Sequence, residues 1–247
     1  MPRYDFRSPR LFVEAPLGAG ATVPLAREQA HYLGNVLRLG AGDPVLVFNG
    51  RDGEWHATLA GGKKLSGFTA IDQTRPQPTA GDVHLLFAPL KHARLDYMVQ
   101  KAVELGASQL VPILTRHTQV ARVNLERMRA NAIEAAEQCG VLAVPDVSGP
   151  VPFAALAFAP ERLVVFCDEA ADVADPVAAL RAATTAALPP VAVVIGPEGG
   201  FTEEERTQLL RAPSVVRLAL GPRILRADTA AVAALTVVQA VLGDWRG

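Results

Sequence analysis

The stretch of sequence that decides the fold reads Val193-Val194-Ile195-Gly196-Pro197-Glu198-Gly199-Gly200-Phe201-Thr202-Glu203-Glu204-Glu205. An apolar run, typical of a buried strand, leads into a glycine-rich turn and then into acidic residues that begin a helix. Gly196, Gly199 and Gly200 allow the backbone to adopt positive φ and to approach a ligand closely. Thr202 and Glu205 have the spacing of a capping box. The pattern is typical either of a cofactor site or of an ordinary strand-to-helix connection.

A second segment further along the chain repeats this layout, and it reads Leu218-Ala219-Leu220-Gly221-Pro222-Arg223-Ile224-Leu225-Arg226-Ala227-Asp228-Thr229. A short strand again precedes a Gly-Pro turn and a helix start, and two arginines and an acid lie in the connecting loop. Charged residues on such loops commonly carry function. Because both turns follow strands of a parallel pattern, we expect them at one sheet edge, where ligands of open α/β sheets bind. The turn Asp168-Glu169-Ala170 is expected to form a third wall.

Together the two segments resemble the second and third signature motifs of the SPOUT methyltransferases, whose S-adenosylmethionine site is folded into a trefoil knot. They are most similar to the family that methylates N3 of a uridine in bacterial small-subunit ribosomal RNA. That family carries GPEGG, a phenylalanine and acids, and then LG-x-RILR-x-E-T-A. The GPEGG motif and its phenylalanine are matched here by Gly196 to Phe201, and the LG-x-RILR-x-E-T-A motif is matched by Gly221, Arg223, Ile224, Leu225, Arg226, Thr229 and Ala230. Asp228 stands where the family has a glutamate.

The resemblance extends upstream and spans nearly the whole chain. It includes Lys91, the run from Gln100 to Ala107, and the run from Ala135 to Gly140. The family usually continues the last motif with an arginine and a small hydroxyl residue, whereas this chain has Val141 and Leu142. If that arginine holds RNA phosphate in the family, another basic residue must do so here, and Arg116 or Arg122 could.

The resemblance implies two domains. Residues 1–75 are expected to form a small PUA-like β-barrel that binds RNA. Residues 76–247 are expected to form an α/β domain with a knotted parallel sheet that binds S-adenosylmethionine. The sequence favours a boundary at Arg75–Asp82, which is rich in proline, glycine and polar residues. Strand-like runs at 11–13, 45–48, 55–59 and 68–71, with a turn signal at 49–53, precede that boundary.

The second domain shows alternating strand and helix patterns. Strands are predicted at 83–88, 109–114, 163–167 and 191–195, and helices at 94–105, 125–139 and 229–242. The last helix is apolar almost all round, which indicates burial. Because it lies at the end of a modest domain, we expect a second subunit to cover part of it. The resemblance to dimeric SPOUT enzymes likewise implies a homodimer.

Composition restricts the function classes. The formal net charge of −1 argues against a general polyanion binder, but residues 91–130 carry a net charge of +4 and residues 131–220 one of −7. The first of these segments can face RNA, although such runs are often only solvated surface. No apolar run is long enough to span a membrane and no secretory signal is visible. The two cysteines, Cys139 and Cys167, fit a reducing cytoplasm, and we expect both to be buried.

The histidines lack metal-ligand spacing, and neither a P-loop nor a dinucleotide-binding motif is present, so we expect no metal and no nucleotide site of those kinds. The resemblance instead implies methyl transfer to uracil N3, which first has to lose a proton. Arg226 is the leading candidate for stabilising the resulting anion. Glu198 is a candidate base or cofactor-orienting group. Asp228 is a third candidate, or only a helix-start residue together with Thr229.

The remaining candidate residues bind cofactor or RNA. Backbone groups and small side chains are expected to hold S-adenosylmethionine at Gly196, Pro197, Glu198, Gly199, Gly200, Leu218, Leu220, Gly221, Ile224 and Leu225. RNA phosphates are expected at Arg38, Lys91, Arg94 and Arg116. Arg38 belongs to the run His31–Leu39, which resembles the family's barrel motif. The ribosomal RNA of the small subunit is the expected partner. The alternatives are a SPOUT enzyme that methylates a ribose 2′-hydroxyl and a non-catalytic, dimeric RNA-binding protein.

Overall fold

The computed structural model describes residues 8–120, 122–172, 175–183 and 189–245. The chain divides into two compact units. The first unit contains the residues up to Thr79 together with Ala136–Val144, and the second contains Ala80–Ala135 and Pro145–Gly247. The first unit is therefore built from two separate pieces of the chain.

A curled five-stranded sheet forms the first unit and gives it a PUA-like architecture. Its strands are β1 (Arg10–Phe12), β2 (Thr22–Pro24), β3 (Pro44–Phe48), β4 (Glu54–Gly61) and β5 (Leu65–Arg75), in the order β1-β3-β4-β5-β2. The pairing of β1 with β3 is parallel, and the other pairings are antiparallel. The helix α1 (Arg27–His31) continues into a π-helical turn at Tyr32–Val36.

The curled sheet encloses an apolar interior. Val45 and Val47 of β3 and Phe68 of β5 are fully buried, whereas Ser66 and Ile71 of β5 are exposed. The turn between β3 and β4 is organised by Asn49, whose Oδ1 accepts hydrogen bonds from the amides of Arg51 and Asp52 at 3.0 and 2.8 Å. This Asx turn accounts for the turn signal seen in the sequence.

A buried ion-pair network and two hydrogen bonds hold the two pieces of the first unit together. Glu54 is 3 % exposed and accepts hydrogen bonds from Arg10 at 2.9 Å and from Arg75 at 2.6 Å. Arg75 also donates to the carbonyl oxygen of Gly140 at 3.0 Å. Nearby, the amide of Phe12 donates to Glu137 Oε1 at 2.8 Å. Residues 136–144 are therefore held to the strands by charged hydrogen bonds.

We expect acid to destabilise the first unit through Glu54. Burial by itself raises the pKa of this carboxyl, but hydrogen bonds from Arg75, Arg10 and Thr74 outweigh burial, so the pKa lies below its ordinary value of 4.5. The stabilisation is therefore complete above pH 4.5 and is lost as the pH falls through the lowered native pKa. Glu54→Gln leaves two guanidinium groups without their carboxylate and should cost about 3 kcal/mol at neutral pH.

Urea denaturation of the wild type and of Glu54→Gln between pH 3 and 7 measures this contribution. The difference between the two proteins should shrink at the acid end of the range. Asp72→Asn is a suitable control, because Asp72 is exposed on the neighbouring strand. An equal loss of stability in both variants would contradict the assignment.

The second unit contains a parallel sheet with helices around it. The strands are β6 (Val83–Phe87), β7 (Gln109–Leu114), β8 (Asp146–Val147), β9 (Val151–Pro152), β10 (Leu163–Cys167), β11 (Val191–Ile195) and β12 (Val215–Leu218). The helices are α2 (His92–Glu104), α3 (Leu125–Cys139), α4 (Pro176–Ala183), α5 (Glu203–Leu210) and α6 (Ala227–Val241). The last residues of α3, from Ala136 on, belong to the first unit. The strand order is β12-β10-β11-β6-β7-β8, and β9 pairs with β7. Every pairing is parallel.

The strand order decides where the loops of interest meet. All residues of β11 are buried, as the apolar pattern predicted for a strand covered on both faces. β10 lies between β11 and β12. The loops that follow β10, β11 and β12 therefore emerge side by side at one edge of the sheet. These are the loops that the sequence singled out.

One expectation about the cysteines was wrong. Cys139 is exposed, because it occupies the last residue of α3, next to the exposed Gln138 and just before the chain turns at Gly140. Cys167, the last residue of β10, is only partly accessible. Burial, together with the carboxylate of Asp168, raises the pKa of the Cys167 thiol to about 12. The thiol therefore stays protonated at neutral pH.

Candidate functional site

A cleft of about 1100 Å³ lies at the carboxyl ends of β10, β11 and β12. Its walls come from three loops and from the first turn of α2. The lining residues are Arg94, Cys167, Asp168, Glu169, Ala171, Asp172, Ile195 to Gly200, Leu218 to Ala227, and Ala230. All ten residues predicted to bind cofactor line this cleft, and so do Arg94 and Arg226.

The first glycine loop, Gly196–Gly200, is shaped by close packing. Only Gly200 has positive φ, at +70°, and a Cβ added there would come within 2.9 Å of Glu169 Oε1. At Gly196 a Cβ would meet the ring of Phe201 at 2.7 Å. The predicted capping box that ends the loop is confirmed: the Thr202 amide donates to Glu205 Oε2 at 2.9 Å, and the Glu205 amide donates to Thr202 Oγ1 at 3.3 Å.

The second glycine loop, Leu218–Arg226, presents backbone to the cleft. Gly221 adopts φ +97°, a conformation that residues with a side chain rarely adopt, and a Cβ there would have no neighbour within 4 Å. Among the described residues, the amides and carbonyls of 220–225 make no backbone hydrogen bond. These donors and acceptors are therefore available to a ligand, because buried or ligand-facing peptide groups require partners.

Beneath the cleft, Asp168 connects the two glycine loops. Its side chain is fully buried and accepts hydrogen bonds from Arg206 at 2.8 Å and from Arg217 at 2.7 and 3.0 Å. Arg206 lies on α5, which follows the first loop, and Arg217 lies on β12, which precedes the second. The sequence predicted that the turn at 168–170 would form a wall, but it did not reveal this ion-pair network. The one sequence feature that could have pointed to this network is the position of Asp168, an acid directly after the apolar strand β10.

Arg94 and Glu198 form a salt bridge at the rim of the cleft, with 2.5 Å between Nη1 and Oε1. From the sequence we expect an RNA contact for Arg94 and a catalytic or cofactor-orienting role for Glu198. The structure brings both side chains to the same site, and they remain partly exposed there. The pair fixes the carboxylate beside the glycines of the first loop.

The other predicted residues differ in position. Arg226 is exposed, lines the cleft and is the N-cap residue of α6. Asp228 does not line the cleft, and its Oδ1 accepts a hydrogen bond from the Thr229 amide at 2.9 Å. Lys91 and Arg116 are exposed outside the cleft, at the N-cap of α2 and after β7. Arg38 is exposed in the first unit and has φ +60°.

One residue beside the first glycine loop was missed. The Nδ1 atom of His117 lies 3.0 Å from the carbonyl oxygens of both Gly199 and Gly200. No spacing in the sequence links these residues, because 82 positions separate His117 from Gly199. The contact is visible only once β7 and β11 are placed in one sheet.

The cleft fits S-adenosylmethionine in size and in chemistry. Ligand pockets commonly measure about 300–1,000 Å³, so the space is sufficient. The free backbone groups of 220–225 suit the hydrogen-bonding edge of an adenine. The carboxylates of Glu169, Asp172 and Glu198 line the cleft and suit the positive charges of the sulfonium and ammonium groups. Within the described ranges, no cluster of His, Cys, Asp or Glu could hold a metal ion, and no helix is long and apolar enough to cross a bilayer.

Comparison with known proteins places these features in a family. Residues 76–239 match the RNA methyltransferase domain, and residues 25–67 match the RNA methyltransferase PUA domain. The chain is 29% identical over 232 residues to a ribosomal RNA small subunit methyltransferase E from Rickettsia conorii, covering 93% of this chain and 94% of that protein. It is 33% identical over 231 residues to the protein of the same name from Synechocystis, and this match covers 90% of this chain and 74% of that protein.

A solved structure is similar over nearly the whole chain. The ribosomal RNA small subunit methyltransferase E of Neisseria gonorrhoeae, bound to S-adenosyl methionine, superimposes with a TM-score of 0.80 at 27% sequence identity. The superposition covers 97% of this chain and 100% of that one. The similarity therefore includes both units and not only the sheet that carries the cleft.

Proposed function

Because the chain belongs to the SPOUT-class RNA methyltransferase family named ribosomal RNA small subunit methyltransferase E, we propose that it methylates N3 of a uridine in 16S ribosomal RNA. S-adenosylmethionine is the cofactor. The observation that carries the proposal is the cleft in which both glycine loops and Arg226 meet. We further propose that the enzyme acts in the cytoplasm as a homodimer.

Methyl transfer to uracil N3 requires three contributions from this chain. Bound S-adenosylmethionine supplies a methyl group on a positively charged sulfur. The protein has to align uracil N3 with that methyl group, stabilise the imide anion left when the N3 proton departs, and keep water out. Arg226 is suited to stabilising the imide anion. It is the N-cap residue of α6 and lines the cleft, and no side-chain hydrogen bond is seen for it among the described residues.

The two acids receive different assignments. Glu198 is held by Arg94 beside the first glycine loop, and we assign to it the orientation of the cofactor. Asp228 bonds the next amide in its own helix, outside the cleft, and we assign to it the start of α6.

The target uridine must be unpaired or extruded, because N3 takes part in base pairing. To test the proposal, a 16S ribosomal RNA transcript is incubated with the protein and S-adenosylmethionine, digested, and examined by mass spectrometry of the nucleosides. We expect 3-methyluridine. A 2′-O-methylated nucleoside would instead identify a ribose methyltransferase. Binding of RNA without any methylation, and without calorimetric binding of S-adenosylmethionine, would favour a non-catalytic RNA-binding protein.

A homodimer is expected from α6. Its inner face is buried, with Ala234, Leu235 and Val238 at 1% exposure or less. The apolar residues Val232 and Val237 on other faces of the helix are only partly covered within one chain. We expect sedimentation equilibrium at micromolar concentration to give the mass of a dimer. A fully active monomer would refute the proposal.

Arg38 offers a test of RNA binding that is separate from the cleft. It adopts φ +60°, which costs a residue with a side chain about 1 kcal/mol or more, and such strained residues cluster at functional sites. Arg38→Gly should relieve this strain and raise the melting temperature slightly. Both Arg38→Gly and Arg38→Ala should weaken RNA binding. The slope of the logarithm of the binding constant against the logarithm of salt concentration should fall by about one, as expected for the loss of one phosphate contact.

Filter-binding titrations at several salt concentrations, with thermal melts of the same proteins, measure both effects. Arg51→Ala serves as a control, because Arg51 is another exposed arginine of the first unit and its guanidinium bonds the Glu14 carbonyl. Unchanged RNA affinity in both Arg38 variants would remove Arg38 from the RNA-binding residues.

A further inference from the structure

A short turn after β7, Thr115–Thr118, contacts the first glycine loop and its helix. The turn is closed by its own hydrogen bonds, since the Thr115 amide donates to Thr118 Oγ1 at 2.8 Å. The Arg116 amide donates to Glu205 Oε1 at 2.7 Å, and Glu205 is the acid of the capping box on α5. The turn is thereby fixed to the helix at one end of the loop.

His117 connects the same turn to the loop itself. Its Nδ1 lies 3.0 Å from the carbonyl oxygens of Gly199 and of Gly200. Carbonyl oxygens only accept hydrogen bonds, so Nδ1 must carry the proton and donate to both. The neutral Nδ1–H tautomer and the protonated imidazolium can both do so.

This donation determines the direction of two peptide planes. In a trans peptide the carbonyl and the N–H point in opposite directions, so holding the carbonyls of Gly199 and Gly200 also directs the amides that follow them. Glycine has no side chain with which to restrain itself, and its backbone loses more freedom on ordering than that of any other residue. Position 199 is close to the imidazole, because a Cβ there would lie 3.2 Å from His117 Cβ.

We propose that His117 is a positioning residue that holds the first glycine loop in the shape that receives the cofactor, by donating Nδ1–H to the two carbonyls. The inference rests on the proposed placement of S-adenosylmethionine in the cleft. His117 does not line the cleft and therefore acts through Gly199 and Gly200, which do. The role therefore requires a hydrogen-bond donor at position 117 and requires no proton transfer by the imidazole.

Two variants whose new side chains have the same shape as each other, His117→Asn and His117→Asp, test the need for a donor. In His117→Asn the side-chain amide nitrogen can take the place of Nδ1 and donate, whereas in His117→Asp the carboxylate only accepts and repels the carbonyls. We expect calorimetry with S-adenosylmethionine to show near-normal affinity for His117→Asn and about tenfold or greater weakening for His117→Asp. Single-turnover methylation at saturating cofactor should be little changed in both variants, so that the effect appears in the cofactor KM.

Controls separate this role from a general one. Gln119→Asp places the same negative charge on an exposed residue nearby and should bind cofactor normally. Thermal melts without cofactor should show all three variants folded, and a poorly folded His117→Asp is replaced by His117→Leu, which also lacks a donor. Equal affinity of His117→Asn and the donor-less variant would overturn the proposal. Failure of the wild-type protein to bind S-adenosylmethionine would instead overturn the proposed function.

Discussion

Arg226→Ala should lower the single-turnover methylation rate by about 100-fold or more while leaving affinity for S-adenosylmethionine nearly unchanged, a loss of roughly 3 kcal/mol in transition-state stabilisation. The reason is the position of the guanidinium, exposed at the edge of the cleft and at the N-cap of α6. A charge there acts on the anion that develops on the uracil, and the cofactor is held mainly by the backbone of 220–225.

Rapid-quench kinetics at saturating RNA and cofactor measure the rate, and calorimetry measures the affinity. Arg223→Ala is the matched control, because Arg223 is an exposed arginine of the same loop and also lines the cleft. It should reduce the rate much less. If Arg226→Ala kept a normal rate, Arg226 would leave the catalytic residues and Glu198 would become the main candidate.

Gly221→Val should abolish binding of S-adenosylmethionine. At φ +97° a β-branched residue is strained, and relief of that strain would move the backbone of the second glycine loop. The added side chain would also project from a residue that lines the cleft, into space without protein atoms within 4 Å of its Cβ. Both effects remove the shape that the cofactor needs, even though the fold has room for the side chain.

Calorimetry with S-adenosylmethionine tests this expectation, after circular dichroism has shown that the variant is folded. Gly149→Val is the control, because that glycine has open space around it and no positive φ. It should bind cofactor as the wild type does. Tight binding by folded Gly221→Val would show that the cofactor does not use the second loop.

Features that depend on short segments were predictable from the sequence. The strand β11 and the capping box of Thr202 and Glu205 are fixed by neighbouring residues, and both were found as predicted. The helix predicted at 229–242 is observed as α6, Ala227–Val241, because its apolar pattern spans several turns. For such elements, the apolar pattern and the capping residues within a short segment are enough to predict where the element lies.

The interactions that organise the cleft could not be predicted in the same way. The pairing of Asp168 with Arg206 and Arg217, and the contact of His117 with the first loop, join residues that are far apart in sequence. An arginine has the same local pattern whether it binds a buried carboxylate or faces water. For Arg94 the sequence indicated an RNA contact, and the structure adds an intramolecular partner, Glu198, that no local pattern reveals.

The two-piece composition of the first unit has a consequence for how the protein can be dissected. A fragment that stopped at Thr79 would contain all five strands of the curled sheet but would lack Ala136–Val144. The amide of Phe12 would then lose Glu137, and Arg75 would lose the carbonyl of Gly140. We therefore expect the fragment up to Thr79 to be less stable alone than the complete first unit. During synthesis on the ribosome, its final closure has to wait until the chain has emerged past residue 144.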